Sequence, residues 1–148
     1  AKQVVTYCIR NDIGTLIVGY NTTFQRSSDL GRQMNQVFVG IPFGILRRKL
    51  KYLCEMNGIR YVEQEESYTS MASFWDLDEM PVYGEAGLVP PVFSGRRICR
   101  GLYQDRSGRR INADVNGALN IMRKCNIVSL RALYDRGDVD TPVRIRIA

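Results

Sequence analysis

Carboxylates are the residues of this sequence whose types and spacing could do chemistry. Asp114 stands near the head of INADVNGALNI (111–121), a block otherwise made of Asn, Gly, Ala and aliphatic residues. Glu63, Glu65 and Glu66 lie close together in EQEESYTS. Carboxylate oxygens are the ligands that Mg²⁺ prefers, and two such ions can hold the attacking and leaving oxygens of a phosphodiester cleavage. The two acidic groups predict a divalent-metal site if the fold brings them together.

Each acidic group also has a purely structural interpretation. An aspartate in the first turn of a helix is favoured by the helix dipole, so Asp114 could serve only as a cap. Three glutamates close together could equally form a solvated strand end. The sequence alone leaves both alternatives open.

Histidine and cysteine exclude several other kinds of site. Histidine is absent, which excludes Ser-His-Asp and Cys-His catalysis and every histidine metal ligand. The four cysteines form no CxxC pair, so their spacing gives no zinc ribbon and favours buried free thiols. They are Cys8, Cys54, Cys99 and Cys125. We expect no structural zinc.

Basic residues are concentrated in SGRRICRGLYQDRSGRR (94–110), which holds six arginines against the single acid Asp105. The net charge of +6 favours phosphate-bearing partners. A guanidinium group fits phosphate oxygens with two parallel hydrogen bonds. A solvated, arginine-rich hairpin is the alternative. The arginines expected to contact nucleic-acid backbone are Arg96, Arg97, Arg100, Arg109 and Arg110.

Two strands joined by a crossover helix are expected to position the acids. TLIVGY (15–20) is an apolar, β-branched run typical of a strand buried on both faces, and IRYVEQ (59–64) predicts a second strand. Between them, Pro42 begins a helix over about 43–57. A helical crossover makes the strands parallel and the connection right-handed. The glutamates then fall at the carboxyl end of a strand, where ligands collect in open α/β sheets.

The rest of the chain predicts shorter elements and one long helix. On that helix, Asp114, Gly117, Ala118 and Ile121 share a face whose small residues would let it lie close to a sheet. The other predictions are an opening helix that ends at Asn11, a loop over 21–35, an irregular region over 65–97, a hairpin that turns at 105–108, the long helix itself up to about Lys124, and a short helix over 129–134.

Two long segments carry a family resemblance. FVGIPFGILRRKLKYLCEMNGIRYVEQEESYTSMASF and FSGRRICRGLYQDRSGRRINADVNGALNIMRK resemble the carboxyl-terminal half of the OrfB/TnpB proteins, transposon-encoded relatives of the type V CRISPR effectors and of Fanzor. The resemblance runs from Val4 to Lys124, and its YTS and INADVNGALNI blocks are specific. It implies an RNase H-like (RuvC-type) nuclease domain that cuts DNA under RNA guidance, with Mg²⁺ or Mn²⁺ and three acidic residues.

The resemblance assigns site residues. Asp114 matches the last acid of the family triad, which its DxNAAxNI block carries. Most members place the middle acid at a position where this sequence has Gly19, but some use a glutamate just before TS, which Glu66 fits. Glu65 is the fallback, because adjacent side chains of a strand point to opposite faces. Glu66 and Asp114 are therefore the expected catalytic and metal-binding residues.

The chain departs from the family pattern in two ways. The first acid, normally in a DxG segment of the first strand, has no counterpart, so the predicted fold is α/β, an incomplete RNase H-like fold that lacks its first three strands. The chain (1–148) would form the carboxyl-terminal part of the domain. An insert over about 71–97 replaces the family's zinc ribbon. The uncovered sheet edge predicts a homo-oligomer or a swapped dimer.

These features predict a truncated nuclease domain of a TnpB-type transposon protein, related to transposition and DNA recombination, with DNA and guide RNA as partners. In the complete protein a metal-activated water would attack the scissile phosphate and leave a 3′ hydroxyl, whereas this chain alone would cut little or nothing. No apolar run approaches the roughly 20 residues that span a bilayer, so we expect a prokaryotic cytoplasmic, nucleoid-associated protein. The alternatives are a non-catalytic nucleic-acid-binding remnant and an assembly module.

Overall fold

The computed structural model describes residues 1–21, 42–83, 90–139 and 142. The described elements divide into two compact units, Ala1–Gln64 and Glu65–Ala148. The predicted loop over 21–35 lies outside the described residues except for Asn21. In chain order the elements are α1 (Lys2–Arg10), β1 (Thr15–Tyr20), α2 (Phe43–Met56), β2 (Arg60–Glu65), β3 (Arg96–Cys99), β4 (Leu102–Gln104), β5 (Arg110–Asn112), α3 (Ala113–Cys125) and α4 (Arg131–Arg136).

The core of the first unit lies between α1 and α2. Its buried residues come from one face of each helix and from the turn before β2, and they are Val5, Cys8, Leu50, Cys54 and Ile59. Both helices were predicted from this spacing of apolar side chains. The expectation of buried cysteines is right for Cys8 and Cys54 and wrong for Cys99, which is exposed on the short strand β3.

Strands β1 and β2 pair in a two-stranded sheet. The backbone N–H of Arg60, the first residue of β2, donates to the carbonyl of Gly14, just before β1, at 2.9 Å. The two strand starts therefore lie together, as they do in a parallel pair. The prediction that β1 is buried on both faces is wrong, since all six of its residues are half-buried. Among the described residues β1 pairs only with β2, which leaves part of each side chain accessible.

The second unit contains a three-stranded antiparallel sheet in the order β3-β4-β5. The predicted hairpin that turns at 105–108 is confirmed by the antiparallel pairing of β4 with β5. A second turn at Arg100 and Gly101, which separates β3 from β4, was not predicted. Gly101 has a φ of +81°, which glycine adopts without steric cost. Helix α3 packs on this sheet, around a core made of Phe74, Tyr103, Ile111, Ala113 and Leu119.

The predicted irregular region contributes to that core. Its described parts are 65–83 and 90–97, and they contain no helix or strand except at their two ends, where Glu65 closes β2 and Arg96 and Arg97 begin β3. Ala72, Ser73 and Phe74 are nevertheless fully buried, and the Phe74 ring stacks on Tyr134 of α4 with centroids 4.9 Å apart. The segment is therefore part of the packed interior, where the sequence predicted only an insert.

The described residues thus form a mixed α/β structure with two small sheets. Its RNase H-like character and its oligomeric state stay predictions. None of the helices in the described ranges is long and apolar enough to cross a membrane.

Candidate metal and nucleic-acid site

Asp114 lies in the first turn of α3 without capping it. The N-cap is Asn112, whose side-chain oxygen accepts hydrogen bonds from the backbone N–H groups of Asp114 at 2.9 Å and of Val115 at 3.2 Å. Asp114 is therefore not the N-cap, because Asn112 already satisfies these amides, but it does stand in the first turn, where the helix dipole favours an acidic side chain. The Asp114 side chain is exposed, and no hydrogen bond or ion pair joins its carboxylate to a described residue.

The buried face of α3 differs from the predicted one. Ala113, Asn116, Leu119 and Asn120 are buried, whereas Asp114 and Ala118 are exposed. The difference arises because two asparagine amides, spaced one helical turn apart, face the turn segment that follows β2. Their amide groups form hydrogen bonds with backbone groups, so all but one of their polar atoms have a partner although both side chains are buried.

The two asparagines fasten the turn segment to α3. Asn116 accepts from the N–H of Phe74 at 3.1 Å and donates to the carbonyl of Ala72 at 2.8 Å. Asn120 donates to the carbonyls of Thr69 at 2.9 Å and Ala72 at 2.8 Å. Among the described groups, the Asn120 Oδ1 atom is buried without a hydrogen-bond partner. We call this arrangement the asparagine clasp.

Glu66 is connected to the clasp through Thr69. The backbone N–H of Thr69 and its hydroxyl donate to the Glu66 carbonyl at 3.2 and 2.9 Å, while the Thr69 carbonyl accepts from Asn120. A Cβ atom built on Gly117 would lie 4.0 Å from the same carbonyl, an ordinary van der Waals distance, so α3 lies against the Thr69 carbonyl at this point. Glu66 and Asp114 therefore belong to two segments that Thr69 joins.

Glu65, the fallback ligand, is engaged elsewhere. Its carboxylate accepts from the Lys124 ammonium at 2.6 Å and from the N–H of Ser67 at 2.6 Å. Burial acts to raise the pKa of Glu65, but the hydrogen bonds from Lys124 and Ser67 outweigh it and hold the pKa below its usual range. A carboxylate already held by an ammonium group is a poor candidate for a metal ligand.

Glu63 belongs to the first unit. Its carboxylate accepts from the Arg47 guanidinium at 3.1 Å and from the Tyr61 hydroxyl at 2.9 Å. Burial raises the pKa of the Tyr61 hydroxyl well above its ordinary value, and the bond to Glu63 adds to that shift. The three glutamates therefore lie in different surroundings, and the contacts of Glu63 serve the structure of the first unit.

Three aspartates of the second unit hold turns in place. Asp78 accepts from the N–H groups of Ser73 and Ser94, at 2.8 and 3.0 Å. Asp76 accepts from Ser94 and Arg106, and Asp105 accepts from Ser107 and Arg109. Within the described ranges, no group of three or more acidic, cysteine or histidine side chains could hold a metal ion.

The five predicted phosphate-binding arginines fall into two classes. Arg96, Arg97, Arg100 and Arg110 are exposed, and no hydrogen bond or ion pair joins their side chains to the described residues. Arg109 is engaged in three structural contacts. Its guanidinium lies 4.6 Å from the centre of the Trp75 ring, donates to the Gly137 carbonyl at 3.2 Å, and lies 3.8 Å from Asp105.

The register of the sheet decides which free arginines share a face. Arg96 and Arg110 are both direct cross-strand partners of Gln104, so their side chains leave the same face of the sheet. Arg97 pairs with Tyr103 and belongs to the opposite face.

The family comparison matches the same part of the chain. Residues 43–121, just over half of the sequence, match the family described as the Cas12f1-like TNB domain. The chain belongs to this Cas12f1-like family. It is thereby related to the TnpB and Cas12 proteins, a group concerned with nucleic acids. The matched range contains Glu66, Asp114 and all five arginines. No curated protein matches the chain.

Neither the asparagine clasp nor the half-buried Arg123 of this Cas12f1-like chain was predicted from the sequence. The Arg123 guanidinium donates to the Asp78 carbonyl at 2.5 Å, and burial lowers its pKa, against the opposing effects of Tyr134 and Asp78. The spacing of Asn116 and Asn120 was the signal for the clasp, since residues four apart face the same way on a helix. Nothing in the sequence distinguishes Arg123 from the exposed arginines of the chain.

Proposed function

We propose that this chain is part of an RNase H-like (RuvC-type) nuclease domain of a TnpB-type protein. In this proposal Glu66 and Asp114 bind a divalent ion, Mg²⁺ or Mn²⁺, for the cleavage of DNA under RNA guidance. Family membership supports nucleic acid as the class of partner. The choice of these two residues rests on the hydrogen bonds of Thr69, which link the segment of Glu66 to the helix of Asp114.

The links at Thr69 are short and buried. Thr69 binds the Glu66 carbonyl with two of its groups and offers its own carbonyl to the fully buried Asn120. Gly117, against the Thr69 carbonyl, lies three residues after Asp114, on the same side of the helix. Two acids that are 48 positions apart in the sequence are in this way attached to one buried hydrogen-bonded unit.

The surroundings of Asp114 suit a metal ligand. Its carboxylate is exposed, has no partner among the described residues, and stands in the first turn of α3. Mg²⁺ commonly keeps several waters and is bound by one or two carboxylates. A bound cation of this kind lowers the pKa of a coordinated water and offsets charge that develops on the phosphate.

A second candidate is a nucleic-acid-binding module without catalysis. Four exposed arginines without partners in the described structure favour it, as does the absence of a third carboxylate beside Glu66 and Asp114 within the described ranges. The two candidates share the basic surface and differ only in whether the carboxylates bind metal.

Metal binding by the chain itself separates these candidates. We expect Mn²⁺, followed by electron paramagnetic resonance, to bind the unchanged chain. Glu66→Gln and Asp114→Asn should each weaken that binding about tenfold or more, a loss of ~1.4 kcal/mol. Asp135→Asn is the matched control, because Asp135 is an exposed carboxylate on α4 that pairs with Arg131 at 3.7 Å. Binding that is equal in all four proteins would contradict the metal site and leave the binding module.

A further inference from the structure

A groove of about 500 Å³ lies in the second unit between the turn after Thr69 and the start of β3. We propose that it binds one unstacked nucleotide of single-stranded nucleic acid, with the base against Phe93 and Met71 and the flanking phosphates on Arg96 and Arg97. The proposal rests on the proposed nucleic-acid function and adds a defined subsite to it.

The apolar part of the groove is held rigidly. Tyr103 forms its floor, is almost fully buried, and donates its hydroxyl to the Met71 carbonyl at 2.8 Å. A Cβ atom on Gly95 would lie 2.6 Å from the Tyr103 ring, so only glycine permits this close approach. The Tyr103 floor and the backbone of Met71 and Gly95 beside it are therefore in place before any ligand arrives, which reduces the entropy lost on binding.

Phe93 and Met71 provide an accessible surface for a base. The Phe93 ring is half-buried, and its centre lies 5.7 Å from the centre of the Tyr68 ring, which packs beside it. Met71 is 55% exposed although it is a large apolar residue. Every base has a π-face, so stacking on an aromatic side chain accepts any sequence.

The two arginines supply charge from the edge of the sheet. Arg97 shares a face with Tyr103, its cross-strand partner, and Arg96 leaves the other face at the rim. Both are exposed and have no hydrogen bond or ion pair with the described residues. Adjacent residues on opposite faces of a strand can reach successive phosphates of a chain that crosses the strand.

The composition of the groove favours a nucleotide over an acidic peptide or an apolar ligand. It combines two unpaired guanidinium groups, an aromatic ring and a thioether, and none of its lining residues is acidic. Another cleft of this unit, of about 330 Å³ beside Trp75, also has an aromatic ring and the unpaired Arg110, but no thioether lines it. Asp138 lines that cleft, and its Arg109 is already engaged.

The groove also adjoins the candidate metal ligand. Its Ser70 wall directly follows Thr69, which binds the carbonyl of Glu66. A nucleotide in the groove would therefore rest on the same turn segment that carries Glu66.

The test is the fluorescence anisotropy of a labelled 12-residue DNA oligonucleotide, and of RNA with the same sequence, in EDTA. Arg96→Gln/Arg97→Gln should weaken binding and reduce the salt slope by about 1.4, since each single-strand phosphate contact contributes about 0.7. Arg10→Gln/Arg131→Gln removes the same charge from exposed positions outside the groove and should change the slope little. An equal effect of both pairs would refute the arginine part of the proposal.

Phe93 tests the stacking part. Phe93→Leu should weaken binding of the ordinary oligonucleotide about fivefold or more, whereas Phe93→Tyr should retain it. An abasic oligonucleotide should bind equally to all three proteins. Thermal unfolding verifies that each variant is folded. A Phe93→Leu protein that binds as tightly as the unchanged chain contradicts the groove.

The outcomes separate this proposal from the one on which it rests. Steeply salt-dependent binding that no groove substitution alters would overturn the groove alone. If the unchanged chain binds neither DNA nor RNA, the proposed nucleic-acid function is wrong and the groove proposal fails with it.

Discussion

At the scale of single residues, the asparagine clasp has a direct consequence for stability. Asn116 and Asn120 are completely buried, and a buried amide without hydrogen bonds costs about 1–3 kcal/mol. Their amide groups instead bind the backbone of Thr69, Ala72 and Phe74. Because these bonds join residues more than 40 positions apart, they fix a segment that has no helix or strand of its own.

Asn116→Ala should therefore lower the free energy of unfolding by about 2–3 kcal/mol, because it leaves the Phe74 N–H without its partner, removes one of the two hydrogen bonds to the Ala72 carbonyl and opens a small cavity. Urea denaturation measures the loss. Ala118→Ser, at an exposed position on the same helix, should change the stability by less than about 0.5 kcal/mol. Equal stability of the two variants would mean that the clasp contributes nothing.

At the scale of elements, local periodicity determined what could be predicted. Helices α1, α2 and α3 and strands β1 and β2 were predicted to within about three residues, because their patterns of apolar residues arise within each segment. The turn at Gly101 was missed, since the strands beside it have only three or four residues. The burial of Phe74 was missed because it depends on Tyr134, which is distant in the sequence. For the site, Glu66 and Asp114 stay predictions.

The contact that joins the end of β2 to the end of α3 gives a pH prediction. The ion pair between Glu65 and Lys124 holds the pKa of Glu65 below its ordinary value of 4.5. A carboxyl whose pKa is lower in the folded chain contributes stability above the unfolded value and loses it as the pH falls through the folded value.

We expect the free energy of unfolding to fall as the pH drops below about 4.5, and to fall less steeply in Glu65→Gln. Asp76 retains part of the slope, since hydrogen bonds from Arg106, Ser73 and Ser94 outweigh burial and lower its pKa as well. Glu79→Gln, at an exposed position, is the control and should keep the original slope. The free energy of unfolding is measured by urea denaturation between about pH 3 and pH 7, a range that includes the ordinary pKa values of carboxyl groups. Identical slopes in Glu65→Gln and the unchanged chain would exclude a stabilising role for the pair.

At the scale of the whole molecule, the distribution of charge favours nucleic acid as the partner. The chain carries a net charge of +6, and four of its arginines on the second unit are exposed without partners in the described structure. Four acids of that unit are engaged within it: Asp76, Asp78 and Asp105 hold turns and Glu65 binds Lys124. The positive charge is thus left facing solvent, while much of the negative charge is used internally.

Arg109 and Arg110 are neighbours in the sequence, but the structure gives them opposite roles. Arg110→Gln should reduce the salt slope of oligonucleotide binding by about 0.7 and leave thermal stability unchanged, since Arg110 has no described partner. Arg109→Gln should leave the slope unchanged and lower the melting temperature, since it removes the contacts with Trp75 and Gly137. Anisotropy titrations from 50 to 200 mM salt, about the range over which phosphate contacts weaken most visibly, measure the slope. If the two variants behave alike, exposure and pairing do not decide which arginines bind phosphate. A chain that functions only in assembly would show little oligonucleotide affinity in either variant.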